Sequence, residues 1–202
     1  MAQFKARARA LDLLGRQQIG GVPSAINELI KNAHDAYADH FDIDFLRKDN
    51  MLVLRDDGIG MSKKDFLDRW LTLGTDSKVS GIGNTLPPAD PSKPLRPIMG
   101  EKGIGRLAIA SIGGQVLILT KAKYESSSKI VAAFINWDVF ELTGINIDDV
   151  VIPVMEFESV PTKEEIVELK KECIDSIRNL HENGSVSEED YTRIAHVINE
   201  FN

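Results

Sequence analysis

Residues 24–36 read Ser-Ala-Ile-Asn-Glu-Leu-Ile-Lys-Asn-Ala-His-Asp-Ala, a pattern that separates polar from apolar side chains only when wound into a helix. At about 100° per residue, Glu28, Asn32 and Asp35 fall within roughly 60° of arc. Ile26, Leu29, Ala33, Ala36 and Tyr37 form the adjacent apolar stripe, and Lys31 and His34 take the remaining arc, which is expected to face water. An acid, an amide and a second acid in line beside a core-facing stripe look into a pocket if a ligand binds there. The competing reading is a plain solvated face.

Two downstream motifs bear on that choice. In residues 52–61, Leu-Val-Leu-Arg-Asp-Asp-Gly-Ile-Gly-Met, an alternating strand runs into an acid and a tight Gly-x-Gly turn. Gly58 and Gly60 allow backbone conformations closed to other residues and let a flat ligand approach the main chain. Asp56, at the mouth of the turn, is placed to accept a hydrogen bond from an exocyclic amine. Alone, Asp-x-Gly-x-Gly also describes many ordinary turns.

Residues 100–114 form a Gly-x-x-Gly-x-Gly loop opening an apolar helix that ends at Gly113-Gly114. Backbone N–H groups at a helix start favour phosphate oxygens, and Lys102 and Arg106 add positive charge. Arg106-Leu107 stands where a Walker loop requires Lys-Ser/Thr. The Pro-rich approach over 86–97 is no strand, which excludes a dinucleotide fingerprint.

The order of these motifs resembles the GHKL ATPases, the superfamily of gyrase, a heat-shock chaperone, histidine kinases and MutL. The resemblance rests on residues 27–36, 56–61 and 100–105 and spans roughly residues 20–120. It implies an α+β fold, a two-layer sandwich in which helices cover one face of a mixed β-sheet (the Bergerat type), and it implies ATP and Mg²⁺ as ligands. Carried over by residue, Glu28 acts as general base on the attacking water, Asn32 completes Mg²⁺ coordination, and Asp56 reads the adenine amine. Asp35 supplies supporting hydrogen bonds near the base or nucleotide. Gly58, Gly60, Met61, Thr75 and Lys78 join the nucleotide site, with Gly100, Lys102, Gly103, Ile104, Gly105 and Arg106 around the phosphates.

Glu28 favours the hydrolysing branch, nearest the chaperone and MutL-like members, because histidine kinases transfer phosphate to a histidine on a separate helix. None of His34, His40, His181 and His196 lies in such a helix ahead of the first motif. The alternatives are a nucleotide-sensing module with little turnover and a kinase of the same superfamily. Residues 73–78, Leu-Gly-Thr-Asp-Ser-Lys, resemble the element where MutL-like lids begin, and the Pro-rich stretch to Met99 occupies the position of an ATP lid, about 74–102. A loop this long inside a compact domain is uncommon unless it is functional or disordered.

The chain has 202 residues, 43% of them hydrophobic, and one cysteine, Cys173. That excludes an intrachain disulfide framework and fits a reducing, cytoplasmic setting. No apolar run of about 18 residues is present, so no membrane span is expected. A net charge of −7 argues against strong sequence-independent binding to a nucleic-acid backbone by this chain alone. The expected partners are ATP and ADP, with a nucleotide-dependent homodimer in a larger protein and a protein client or DNA reached through other regions.

Helix is expected over 2–14 and 63–73, the latter capped by Ser62, and strands over 40–46, 51–55, 115–120 and 130–137, the last two in the same sheet as the first pair. Capping-box patterns at Thr162 and Ser187 predict helices over 163–182 and 187–201 as a C-terminal helical hairpin. The domain reading is therefore an ATP-binding domain over 1–155 and a hairpin over 156–202, an insertion or linker to a missing part. The Gly-Thr-led strand that closes the sheet in the superfamily is not found after residue 120. His34, Asp35, Asp39 and His40 could suggest a metal site, for which a solvated helix end is the competing account.

Overall fold

A computed structural model describes residues 5–17, 20–73, 88, 90–100 and 105–201. The chain begins with α1 (Arg9–Asp12), prolonged by a π-helical turn over Leu13–Gln17, and continues into α2 (Val22–Asp35), where Gly21 precedes the helix and Pro23 sits in its first turn. Proline there sacrifices an N–H that has no helical partner. A hairpin of β1 (Phe41–Leu46) and β2 (Met51–Asp56) follows. Next comes α3 (Lys63–Asp65), continued by a π-helical turn over Phe66–Trp70. The Ser62 hydroxyl caps α3 by accepting from the Asp65 N–H at 3.3 Å.

Residues Gly105–Ser111 form a 3-10 helix rather than a longer α-helix. Beyond it lie β3 (Gln115–Thr120), β4 (Ile130–Asn136), two short 3-10 turns, and β5 (Val154–Phe157), a strand absent from the sequence-based expectation. The chain then forms α4 (Lys163–Glu182) and α5 (Glu188–Glu200). The Thr162 box is present in both directions, with the Thr162 N–H donating to Glu165 Oε2 at 2.7 Å and the Glu165 N–H to Thr162 Oγ1 at 3.3 Å. Among the described residues, no helix is long and apolar enough to cross a membrane.

The class is α+β with a C-terminal helical hairpin, as expected, but the described strands do not form one mixed sheet. They form a two-stranded β1-β2 sheet and a three-stranded sheet ordered β3-β4-β5, antiparallel throughout. The physical reason lies just past β2. There the Lys123 N–H donates to Ile59 O at 2.8 Å, and the Met61 N–H donates to Thr120 Oγ1 at 3.0 Å. β2 has already ended at Asp56, and Gly60 at φ +65° keeps the residues that follow out of extended geometry, so no ladder continues where they pass the end of β3.

β4, Ile-Val-Ala-Ala-Phe-Ile-Asn, is almost wholly buried, which explains its near-continuous apolar run. Ala132 and Phe134 belong to the main core with Trp137, Phe140, Leu169, Ile177, Ile194 and Ile198, whereas Val131 and Ala133 pack with Phe66. Phe66 and Trp70 stack at 5.0 Å. The hairpin helices thus share the core of the β3-β4-β5 sheet. Cys173 is buried within that core, and burial pushes its thiol up to about 12, leaving it a packing residue.

Candidate nucleotide site

The α2 helix is the spine on which the motifs meet. Near its middle, Glu28 faces the start of the 3-10 helix: a Cβ built on Gly105 would lie 2.7 Å from Glu28 Oε2. Only the missing side chain at Gly105 lets loop and carboxylate approach so closely. At the end of α2, the Asp35 carboxylate accepts from the Met99 N–H at 2.8 Å and the Gly100 N–H at 3.1 Å. It thereby ties the start of the glycine loop to the helix.

One residue further, Ala36 O accepts from the Ile59 N–H at 2.8 Å. The Asp56–Gly58 turn packs against that same point. A Cβ on Gly58 would lie 2.9 Å from both Ala36 Cβ and Ala36 O. Asp56 is exposed, and its Oδ1 accepts from the Gly58 N–H at 2.9 Å. That bond fixes the carboxylate orientation and leaves Oδ2 without a hydrogen-bond partner among the described residues. Asn32 is half-buried, and its amide has no partner among the described residues.

The remaining residues are placed differently. Met61 is partly buried against the Phe66 cluster, so its side chain is part of the packing beneath the turn. Arg106 donates to the carbonyls of Arg69 and Thr72, at the end of the turn that follows α3. Burial lowers its pKa from the ordinary guanidinium value. Thr75, Lys78, Lys102, Gly103 and Ile104, and most of the stretch 74–102, lie outside the described residues.

The arc expected to face water is not fully wet. Lys31 Nζ reaches Glu28 Oε1 at 2.7 Å, because i and i+3 are neighbours on a helix surface. His34 Nδ1 is buried without a hydrogen-bond partner in the described structure, 3.6 Å from Asp35 Oδ1.

Long-range contacts that the sequence did not signal hold this region together. Asp39 pairs with Lys93 and with Arg96, the latter at 2.8 Å, and Arg96 also lies over the Tyr37 ring, 5.6 Å from its centroid. The stem of residues 93–100 is thereby fastened to the end of α2. Asp57 accepts from the Asp39 N–H at 2.7 Å, the His40 N–H at 2.8 Å and His40 Nδ1 at 3.0 Å. No local signal marks these contacts, since their partners lie 17 to 57 residues away. The doublet Asp56-Asp57 was the available clue.

The His40 backbone and ring hold the Asp57 carboxyl well below the usual carboxylate range, and the Asp57 hydrogen bond and charge raise His40. A lowered carboxyl stabilises the fold above its ordinary value of 3.8 and loses that contribution as pH falls through its folded value. A raised imidazole stabilises below its ordinary value of 6.5 and loses that contribution as pH rises through its folded value. This single interaction, seen from both partners, is therefore complete between those two values. Melting temperature measured across pH should fall on both flanks for the parent chain, and Asp57→Asn should make both falls shallower, the acid one only in part because Asp39, Asp65, Asp90 and Asp190 are lowered too. Equal flanks in the two proteins would remove the pair from the account of stability.

With this geometry in view, residues 21–164 match a family model described as histidine kinase-, DNA gyrase B-, and HSP90-like ATPase. The chain belongs to that ATPase family. Residues 21–164 begin just before α2 and contain Glu28, Asn32, Asp35, the Asp56 turn and Gly105. The chain is also similar to the protein named ATPase morc-1 of Caenorhabditis elegans, 47% identical over 62 residues. That match covers 30% of this chain and 7% of the worm protein.

Members of this ATPase family bind ATP, typically with Mg²⁺. The residues present fit such a ligand. The Asn32 amide, without a partner among the described residues, offers an oxygen of the kind Mg²⁺ prefers. The free Asp56 oxygen is an acceptor that an amino group can satisfy.

Proposed function

We propose that this chain binds Mg-ATP along α2 and hydrolyses it slowly to ADP and phosphate. The observation that carries the reading is the convergence of two separate glycine-bearing segments on one helix, the turn with Gly58 and Gly60 and the loop with Gly100 and Gly105, the latter pressed against the Glu28 carboxylate. Asp56 recognises the adenine amine through Oδ2, with Gly58 letting the turn close onto Ala36 at the end of α2. Asn32 would hold the metal through its amide oxygen, and Gly100, Lys102, Gly103, Ile104 and Gly105 would serve the phosphates. Mg²⁺, when bound, neutralises charge developing on the phosphate oxygens.

Glu28 then takes a proton from the attacking water. As the water oxygen bonds to the terminal phosphorus, the bond to the bridging oxygen breaks and that oxygen leaves with ADP. A positioned carboxylate base of this kind contributes about 10²–10⁴-fold. Asp35 acts at one remove, by holding the Met99–Gly100 backbone where the loop begins.

In a longer protein, nucleotide state would control closure of the segment over 74–102 and dimerisation, acting as a clamp or chaperone. The anchoring of residues 93–100 to Asp35 and Asp39 supports a fixed stem for that segment. The hairpin over 156–202 extends the ATP-binding domain of residues 1–155 and buries Leu169, Cys173 and Ile177 in a common core with it.

A thermal-shift titration with Mg-ATP tests the binding step, with Asp56→Asn as control. Ligand at a hundredfold excess over its dissociation constant stabilises a binding-competent fold by about 2.7 kcal/mol, roughly 5–10 °C for a domain of this size. Asp56→Asn should lose most of that shift, because one face of the amide offers donors to an amine. An equal shift in both proteins would remove Asp56 as the adenine reader. No shift in the parent chain would overturn the ATP reading.

A further inference from the structure

Glu28 and Lys31 form an ion pair along the site face of α2. Glu28 Oε1 is 2.7 Å from Lys31 Nζ, and the two side chains are 31% and 29% exposed. Its other oxygen, Oε2, faces Gly105. The two oxygens are thus divided between a cation on the helix and the start of the 3-10 helix. Among the described residues, Lys31 is the cation within ion-pair distance of Glu28. An ion pair at this degree of exposure contributes little to stability. Its consequence is geometric: a glutamate side chain has several rotamers, and holding Oε1 selects those that direct Oε2 at the loop.

We infer that Lys31 is a positioning residue for the general base, holding Glu28 Oε1 so that Oε2 is the atom presented to the attacking water. The inference rests on the ATPase reading and deepens it. Lys31 does not replace the base and needs no contact with nucleotide. It narrows the orientations of Glu28 before ATP arrives, and catalytic groups lose rate steeply when misplaced. The chemistry is unchanged: the water proton passes to Oε2, and the ammonium stays protonated on Oε1.

Steady-state hydrolysis of Mg-ATP by the full chain tests this, with Lys31→Met, Lys31→Arg and a parallel thermal-shift assay. Lys31→Met should lower kcat about tenfold with KM within about twofold, a loss in the range expected for a loosened catalytic group. Lys31→Arg, which restores a cation of similar reach, should recover kcat to within about threefold. Melting temperatures of both variants without nucleotide should match the parent, since a half-exposed ion pair is being altered. A raised KM at constant kcat would make Lys31 a nucleotide ligand and overturn the positioning role. So would an unchanged kcat, or a kcat loss that tracks a lower melting temperature. Nucleotide-dependent stabilisation of the parent without phosphate release would remove Glu28 as base, and Lys31's role with it. The absence of any stabilisation would overturn the ATP reading itself.

Discussion

Glu28→Ala is expected to reduce ATP hydrolysis by about 10²–10⁴-fold, the contribution typical of a positioned carboxylate base, while leaving nucleotide binding nearly intact. The separation of effects follows from where Glu28 sits. Its side chain is 31% exposed and its described contacts are Lys31 and the Gly105 approach, so its removal leaves no buried group unpaired. Surface changes of that kind usually stay within about 0.5 kcal/mol. Asp56 and Asn32, proposed above to meet adenine and metal, are separate side chains that Glu28 does not support through any described hydrogen bond. Glu28→Gln gives a second view, because it keeps the shape against Gly105 but cannot take the water's proton. Single-turnover phosphate release measured beside the Mg-ATP thermal shift decides the matter: both variants should lose the former and keep the latter. An unchanged rate in either would take Glu28 out of the mechanism.

The largest effect on folding is expected at Gly60→Ala. Gly60 has φ +65°, where an L-residue costs about 1–2 kcal/mol. An added Cβ would also lie 2.7 Å from the Lys121 carbonyl carbon and nearer still to its oxygen. That neighbour is backbone at the end of β3, so it cannot swing aside as a flexible side chain would. Overpacking of a fixed contact costs typically 1–3 kcal/mol, giving a combined loss of about 3 kcal/mol or more. Gly184→Ala is the matched control: its φ is +80°, yet nothing lies within 4 Å of the added Cβ. It should lose only the conformational part, about 1 kcal/mol. Urea unfolding of the two variants separates strain from collision, and equal midpoints would show that the Gly60–Lys121 approach relaxes freely.

That pair of glycines shows where sequence reasoning reaches its limit. Both read as turn residues, and nothing local distinguishes the one packed on a distant carbonyl from the one in open space. The same holds for polar groups. Asp35 was legible as a residue of the site face, but it accepts hydrogen bonds from Met99 and Gly100, 64 and 65 residues away. Arg106 reads as a phosphate-facing cation because it follows the glycine loop, yet its guanidinium binds the carbonyls of Arg69 and Thr72. Lys31 reads as solvated because an angular plot of a helix ignores the reach of a four-carbon side chain. The 3-10 geometry of Gly105–Ser111 was equally hidden. That segment packs between α2 and the turn after α1, where a Cβ on Gly15 would lie 2.8 Å from Leu107 O.

The sequence by itself determined what short-range physics controls. It set the span of α2 to within two residues, the β1–β2 and β3–β4 strands from their alternation and apolar runs, and the helical hairpin from its capping boxes at Thr162 and Ser187. It also determined the polar line of Glu28, Asn32 and Asp35, since helical periodicity acts within a few residues. Tertiary structure alone decided that the described strands split into two antiparallel sheets at Gly60, and that β4 would be buried on both faces. It alone decided that Oε2 of Glu28 meets Gly105. Those outcomes depend on backbone and side-chain groups dozens of residues apart coming within about 3 Å of one another, the range of a hydrogen bond. No local pattern of residues carries that information.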